Sequence, residues 1–241
     1  MLHKTRGIVL HSFKYSESSL IVKAFTESFG LQSYMLKGVR SQKAKNKPAL
    51  FQPLTLLELV VYHKEKTSLH PVKEVRLAIP THSTASDIRK SSIALFLAEL
   101  IYRSIREEET NSHLFEFLWN GFIQLDETED AIADFHLLFS MKLCRFLGFQ
   151  PQENHSEYNR FFHLREGFFH PLYSSSEDCL DEEQSKWFLK LIKTEMHQLS
   201  SLAFPSKIRS ILLDKVLLYY RFHLTGFSEI RSREVLRTVL S

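Results

Sequence analysis

Five cations and no acid occupy the eleven residues from Lys37 to Lys47, at Lys37, Arg40, Lys43, Lys45 and Lys47. Ammonium and guanidinium groups at this spacing neutralise successive phosphates, and a nucleic-acid backbone is the commonest ligand of such a segment. The bias extends beyond it. Residues 1 to 80 hold thirteen Lys and Arg against five Asp and Glu, a net of +8, and residues 81 to 241 hold eighteen against twenty-three, a net of −5. The overall +3 therefore hides a polarised molecule. The plain alternative is a solvated loop, because most lysine clusters bind nothing specific. Single strands are held by cations that follow the backbone and by rings on which bases stack. The same region offers Lys4, Arg6, Lys14 and Lys23 as further cations and Phe13, Tyr15, Phe29, Tyr34 and Phe51 as rings. About half of these rings are expected in the core. Tyr34 and Phe51, which flank the basic segment, are the ones expected at the surface.

Other chemistry is weakly supported. None of the seven glycines stands in a GxxxxGK[ST] or GxGxxG spacing, which argues against nucleotide hydrolysis. The acidic groups Glu107 to Glu109, Asp126 to Asp130 and Asp181 to Glu183 fall at expected helix ends or linkers, where carboxylates are stabilised or simply solvated. A nuclease needs clustered carboxylates near the basic face, and Glu17, Glu27, Glu58, Glu65 and Glu74 are scattered. No HExxH or GxSxG occurs. His155, His163, His170 and Cys179 could supply four zinc ligands, but gaps of seven, six and eight residues lack the short paired turns that pre-position two of them. No catalytic residue, metal or cofactor is assigned, and a non-enzyme is expected. Cys144 and Cys179 are the only cysteines, without CxxC, which suits a reducing cytoplasm.

The elements that carry the basic segment read as strands. Gly7 to Phe13, Ser19 to Thr26, Leu31 to Leu36, Thr55 to Tyr62 and Leu69 to Leu77 are short apolar runs separated by polar turns. Five such strands avoid exposed edges by curling into a small closed barrel, which makes an OB-like barrel the economical fold. Pro80 to Ser86 is small and polar, and the period beyond it is helical. One stripe holds Ile93, Phe96, Leu97, Leu100, Ile101 and Ile105; a second runs from Leu114 to Leu125; a third runs from Ile132 to Leu147 and stops at Gly148. Further helices are predicted over 181–199, over 205–224 with Pro205 at N1, and over 231–240. The class is α+β, with an N-terminal barrel over 1–80, a helical domain over 81–241, and a small irregular insert over 151–180. No apolar run reaches the ~20 residues that span a bilayer. The amino terminus has no long apolar leader, so a soluble, cytosolic chain is expected.

The order of several short strings is similar to that of the RecO family of DNA repair proteins. Lys4-Thr-Arg-Gly-Ile-Val-Leu10, Tyr15 to Thr26, Gly30 and Gly38-Val-Arg40 resemble the opening of that family. Tyr219 to Leu224, Gly226-Phe227, Glu229-Ile230 and Ser232 to Leu236 resemble its carboxy-terminal signature, and the middle is compatible in length and helicity. The resemblance implies an OB fold followed by a helical domain, in a cytoplasmic, nucleoid-associated bacterial protein. It implies a non-enzymatic recombination mediator that binds and anneals single- and double-stranded DNA and joins RecR. Such a mediator recognises the acidic tail of the single-stranded-DNA-binding protein and helps load RecA. Gly38 and Arg40 match the family's Gly-x-Arg, whereas Lys43, Lys45 and Lys47 match only as a basic continuation. Many members carry a four-cysteine zinc motif where this chain reads Gln150 to Cys179 with a single cysteine, so zinc does not carry over. Phe161, Phe162, Phe168 and Phe169 are expected to hold that subdomain by apolar packing instead.

An acidic tail that ends in an apolar residue and a carboxylate needs a groove with an apolar floor and a cationic rim. Arg103, Arg106, Lys142 and Arg145 lie beside Phe-rich stripes and are the candidates for that rim, with ordinary solvated flanks as the alternative. The competing function is an adaptor whose basic domain binds RNA or an acidic protein without preference for DNA.

Overall fold

The computed structural model describes residues 1–39, 48–64, 67–105 and 110–240. Strands β1 (Leu2–Lys14), β2 (Leu20–Thr26), β3 (Gly30–Leu36), β4 (Leu56–Tyr62) and β5 (His70–Leu77) close into a barrel in the order β1-β2-β3-β5-β4. All pairings are antiparallel except β3 with β5, where Tyr34 faces His70. This is an OB-like barrel, as the spacing of the apolar runs predicts. β1 serves two partners: Leu2 to Ile8 pair with β4, and Gly7 to Lys14 with β2. A strand shared in this way must bend, and the chain supplies a bulge between Val9 and His11. At Gly7 a Cβ would stand 2.9 Å from the Leu59 Cδ1 methyl, so any larger residue would have to push that buried leucine aside.

Period-two alternation sets what fills the barrel. In β3, Gly30, Gln32, Tyr34 and Leu36 point in, while Leu31, Ser33 and Met35 are only partly covered. Tyr34 and Leu36 join Val9, Val22, Ala24, Leu57, Leu59 and Val61 in one core. A barrel end left open would expose that core, and the 3-10 turn Pro48–Phe51 drives the Phe51 ring into it.

Helices α1 (Ile88–Ser104) and α2 (Ser112–Glu127) belong with the barrel to one compact unit, Met1–Glu127. Their buried stripes match the expected ones. Tyr102 of α1 stacks on His11 of β1 at 5.9 Å, and Phe115 of α2 lies 6.2 Å from Phe25 of β2. The polar connector before α1 is pinned. The Asp126 carboxylate accepts from the amides of His82, Ser83 and Thr84 and from the Thr84 hydroxyl, at 2.7–3.0 Å. Burial alone would raise this carboxyl, but those donors outweigh it and hold Asp126 well below the usual carboxylate range. The buried Lys90 donates to Ser83 Oγ and to the Asp126 carbonyl, both at 2.5 Å, neutralising the C-terminal end of α2.

The second unit spans Thr128–Ser241. Helix α3 (Phe135–Phe146) follows a 3-10 turn over Ile132–Asp134 and ends before Gly148, whose φ of +83° is the left-handed geometry that glycine adopts freely. The irregular insert contains a two-stranded hairpin of β6 (Phe161–His163) and β7 (Phe168–His170). α4 (Glu182–Lys193), α5 (Ser206–His223) and α6 (Arg233–Leu240) complete the unit. Two boundaries differ from expectation. The helix predicted over 181–199 breaks at Thr194, which turns extended while Glu195 and Gln198 form a capping box that starts a fresh 3-10 turn at Met196. Pro205 is the N-cap and not N1, because its ψ of 149° is extended. Among the described residues no helix is long and apolar enough to cross a membrane.

Candidate nucleic-acid interface

Strand register decides which of the candidate side chains can share a ligand. Lys14 pairs with Leu20, and Leu20 with Leu36, so the end of β1, the start of β2 and the end of β3 form one row across three strands. Two strand spacings place the ends of β1 and β3 about 10 Å apart. Tyr15 and Lys37 stand one residue beyond that row. The β1–β2 turn is held by Tyr15 N donating to Ser19 O at 3.1 Å and Ser19 N to Ser16 Oγ at 3.2 Å. After Lys37 the chain turns at Gly38, whose φ of +74° strains any other residue. Lys14, Lys37, Phe13 and Tyr15 are all exposed. Among the described residues neither lysine has a carboxylate partner. Arg40, Lys43, Lys45 and Lys47 lie outside the described residues.

Three candidates are corrected. Tyr34 and Phe51 are each 1% exposed and cannot stack on a base. Tyr34 has the strand parity of Gln32 and Leu36, burial pushes its phenol up to about 12, and Phe51 plugs the barrel. Lying next to a basic segment in sequence did not bring either ring to the surface. Arg6 is committed internally. Its Nε and Nη2 donate to Glu27 at 2.9 Å, Nη2 also meets Glu116, and the guanidinium lies 5.1 Å and 5.0 Å from the Phe115 and Trp119 rings. The same guanidinium holds the Glu27 carboxyl below its ordinary range. Eight residues, about 27 Å of extended strand, separate Arg6 from Lys14. Lys4 lies with Arg6 in a groove of about 410 Å³ whose charges alternate with Glu27, Glu58, Glu74 and Arg76. The rings that do reach the rim are Phe13 and Tyr15. The polar turn Lys14-Tyr-Ser-Glu-Ser18 marks them, because a ring inside or beside a solvated turn escapes the core.

The family model described as "Recombination protein O N terminal" matches residues 1–80, and the one described as "Recombination protein O C terminal" matches residues 85–234. The chain belongs to the RecO family. Proteins named "DNA repair protein RecO" from Flavobacterium psychrophilum and Flavobacterium johnsoniae are 42% and 38% identical to it, each over 239 residues and 99% of both chains. One from Bacteroides fragilis is 37% identical over 240 residues and 98% of both chains. This RecO-family chain is therefore a bacterial-type DNA repair protein.

The insert's candidate zinc ligands make other contacts. Cys179 is buried and bridges to His163, His163 faces Glu166 and Asp178, and His155 packs edge-on against Phe169. Among the described residues no group of three or more such side chains could hold a metal ion. The insert is held by rings: Phe162 is buried against Phe169, Phe188 and Tyr219 at 4.9, 4.6 and 6.0 Å. Phe161 and Phe168 are only half-buried.

Two of the four cations expected to line a partner groove are engaged. Arg103 pairs with Glu99 at 3.0 Å. Lys142 donates at 3.0 Å to the Ile192 carbonyl and to Glu195, capping α4. Arg145 is exposed, and Arg106 lies outside the described residues. An apolar groove with mixed charge at its edge does exist in the second unit, between α5 and α6. Its volume is about 450 Å³ and Leu213, Leu236 and Leu240 line it; of its cations Arg209 pairs with Asp134 and Arg237 with Asp214, which also lines the groove, while Lys207 makes no ion pair among the described residues. The strongly one-sided pattern of α6, with Leu236 and Leu240 buried and Arg237 beside them, was the sequence signal for it.

Proposed function

We propose that this chain is a non-enzymatic recombination mediator whose barrel rim holds single- and double-stranded DNA and promotes annealing. It works with RecR to load RecA onto DNA coated by the single-stranded-DNA-binding protein. The observation that carries this reading is the exposure of Lys14 and Lys37, without carboxylate partners among the described residues, at the same barrel end as Phe13 and Tyr15. The cations of residues 37–47 continue from that end in sequence. Annealing needs charge neutralisation and base access, and no bond is cleaved. Annealing of complementary oligonucleotides coated by the cognate single-strand-binding protein tests DNA contact and partner recognition together. Parallel titrations of DNA and RNA at one salt concentration separate this function from an RNA adaptor, because the 2′-hydroxyl is the discriminating group.

Each ring that stacks a base contributes about 1–3 kcal/mol, so Phe13→Ala with Tyr15→Ala should weaken single-strand binding by roughly thirtyfold or more. The salt dependence should stay as it was, because no phosphate contact is lost. Equal affinity in a fluorescence titration removes the rings from the site.

For the acidic tail of the single-strand-binding protein, the α5–α6 groove offers an apolar lining and one cation, Lys207, without an ion pair among the described residues. Lys207 is exposed at its edge. Lys207→Glu should weaken binding of an acidic carboxy-terminal peptide by about tenfold, equivalent to about 1.4 kcal/mol, while Arg145→Ala leaves it unchanged. The reverse pattern in calorimetry moves the tail to the α3 face.

A further inference from the structure

The rings at the rim continue along the outer face of β1. Val22 and Ala24 fill the barrel, so Ile21 and Lys23 face outward, and their ladder partners Phe13 and His11 share that face. His11 is exposed and lies 5.9 Å from two rings, Phe13 on β1 and Tyr102 on α1, at interplanar angles of 31° and 24°. Three rings in near-parallel order thus lead from the barrel rim to α1. Rings that served only to close the seam between β1 and α1 would be covered. Instead Phe13 keeps 42% of its surface in water, His11 is open, and Tyr102 is only half-buried. Lys23, directly across the ladder from His11, is half-buried and makes no ion pair among the described residues. Open rings beside an uncommitted cation are the setting in which single strands are held.

We propose that His11 and Tyr102 extend the rim into a track for unpaired nucleotides, on which a single strand leaving Phe13 and Tyr15 lays its next bases. This rests on the rim being a DNA site. Ring faces meet base faces, which a duplex keeps stacked inside, so the track takes single strands only. The rim cations, by contrast, meet phosphates and serve both forms of DNA. A base held by its face keeps its pairing edge open, so a strand on the track stays ready for its complement.

Fluorescence titration of the full chain with a labelled single strand and, separately, with a duplex of the same length tests the track. His11→Val with Tyr102→Leu removes both rings while keeping a β-branched residue in the strand and apolar volume on the helix. Single-strand affinity should fall by about thirtyfold or more, with the salt slope and the duplex affinity unchanged. His11→Phe with Tyr102→Phe keeps two rings and should bind single strands as the unmodified chain does. Annealing of complementary oligonucleotides should slow with the first pair of substitutions and not with the second. Unchanged single-strand affinity in the ringless variant overturns the track. So does an equal loss of duplex affinity, which marks a structural role, and so does failure of the phenylalanine variant to bind. The rim survives any of these results if Phe13→Ala with Tyr15→Ala still weakens binding. If the unmodified chain binds no DNA at any salt, the rim fails as a DNA site and the track falls with it.

Discussion

Raising the salt concentration fourfold should weaken single-stranded DNA binding by about a hundredfold. Each phosphate neutralised on a single strand contributes about −0.7 to the slope of log K against log salt, so five cations between Lys37 and Lys47 give roughly −3.5. If the same five engage a duplex, the steeper value of about −0.9 per phosphate gives roughly −4.5. Replacing Lys37, Arg40, Lys43, Lys45 and Lys47 by Ala should remove that share of the slope and leave what cations outside the segment contribute, about −0.7 for Lys14. Arg6 is the internal control. Its guanidinium is shared between Glu27 and Glu116 and stacked on Phe115 and Trp119, so Arg6→Met should lower stability and leave the salt slope where it was. A slope near zero in the unmodified chain, or unchanged binding after the five substitutions, refutes the phosphate-contact mechanism. A slope that falls with Arg6→Met instead moves the site to the groove at the other end of β1.

The barrel was legible because period-two alternation and turn chemistry are local signals, and each expected strand overlaps one of β1 to β5. The closure of β3 against β5 across Tyr34 and His70 was inferred only from the need to protect edges. The site was less legible, for a reason visible at single residues. Charge is additive along the sequence, so the basic segment and the polarity of the two halves could be read directly. Exposure is not additive. Tyr34 and Phe51 flank the basic segment but face the core, since strand parity and the need to plug the barrel override proximity. Arg6 lies in the strand that matches the family's opening, yet its partners Glu27 and Glu116 come from 21 and 110 residues away. The α5–α6 groove joins residues as far apart as Arg209 and Leu240, so the one-sided pattern of α6 signals only one of its walls.

Asp134→Ala should destabilise the second unit by about 3–5 kcal/mol, the cost of stranding one member of a buried ion pair. Asp134 is buried, accepts from Arg209 Nε at 3.1 Å and from the Phe204 amide at 3.0 Å, and so fixes the entry to α5. Arg209 spends its remaining donors on the Phe204 and Leu240 carbonyls at 2.9 and 2.8 Å, tying α5 to the end of α6. Removing the carboxylate leaves a guanidinium in low dielectric and an orphan amide. The midpoint of thermal unfolding should fall by roughly 12–20 °C at about 4 °C per kcal/mol. Asp134→Asn keeps an acceptor for Phe204 and should lose less. Asp134→Leu with Arg209→Met removes both charges and should recover part of the loss, because apolar pairs replace buried ion pairs at little cost. Arg209 also lines the α5–α6 groove and ties its two helices together, so acidic-peptide binding should fail with Asp134→Ala while the barrel still binds DNA with its full salt slope. If Asp134→Ala unfolds at the original midpoint, the pair does not hold α5 to α6. If DNA binding is lost together with peptide binding, the two activities do not reside in separate units.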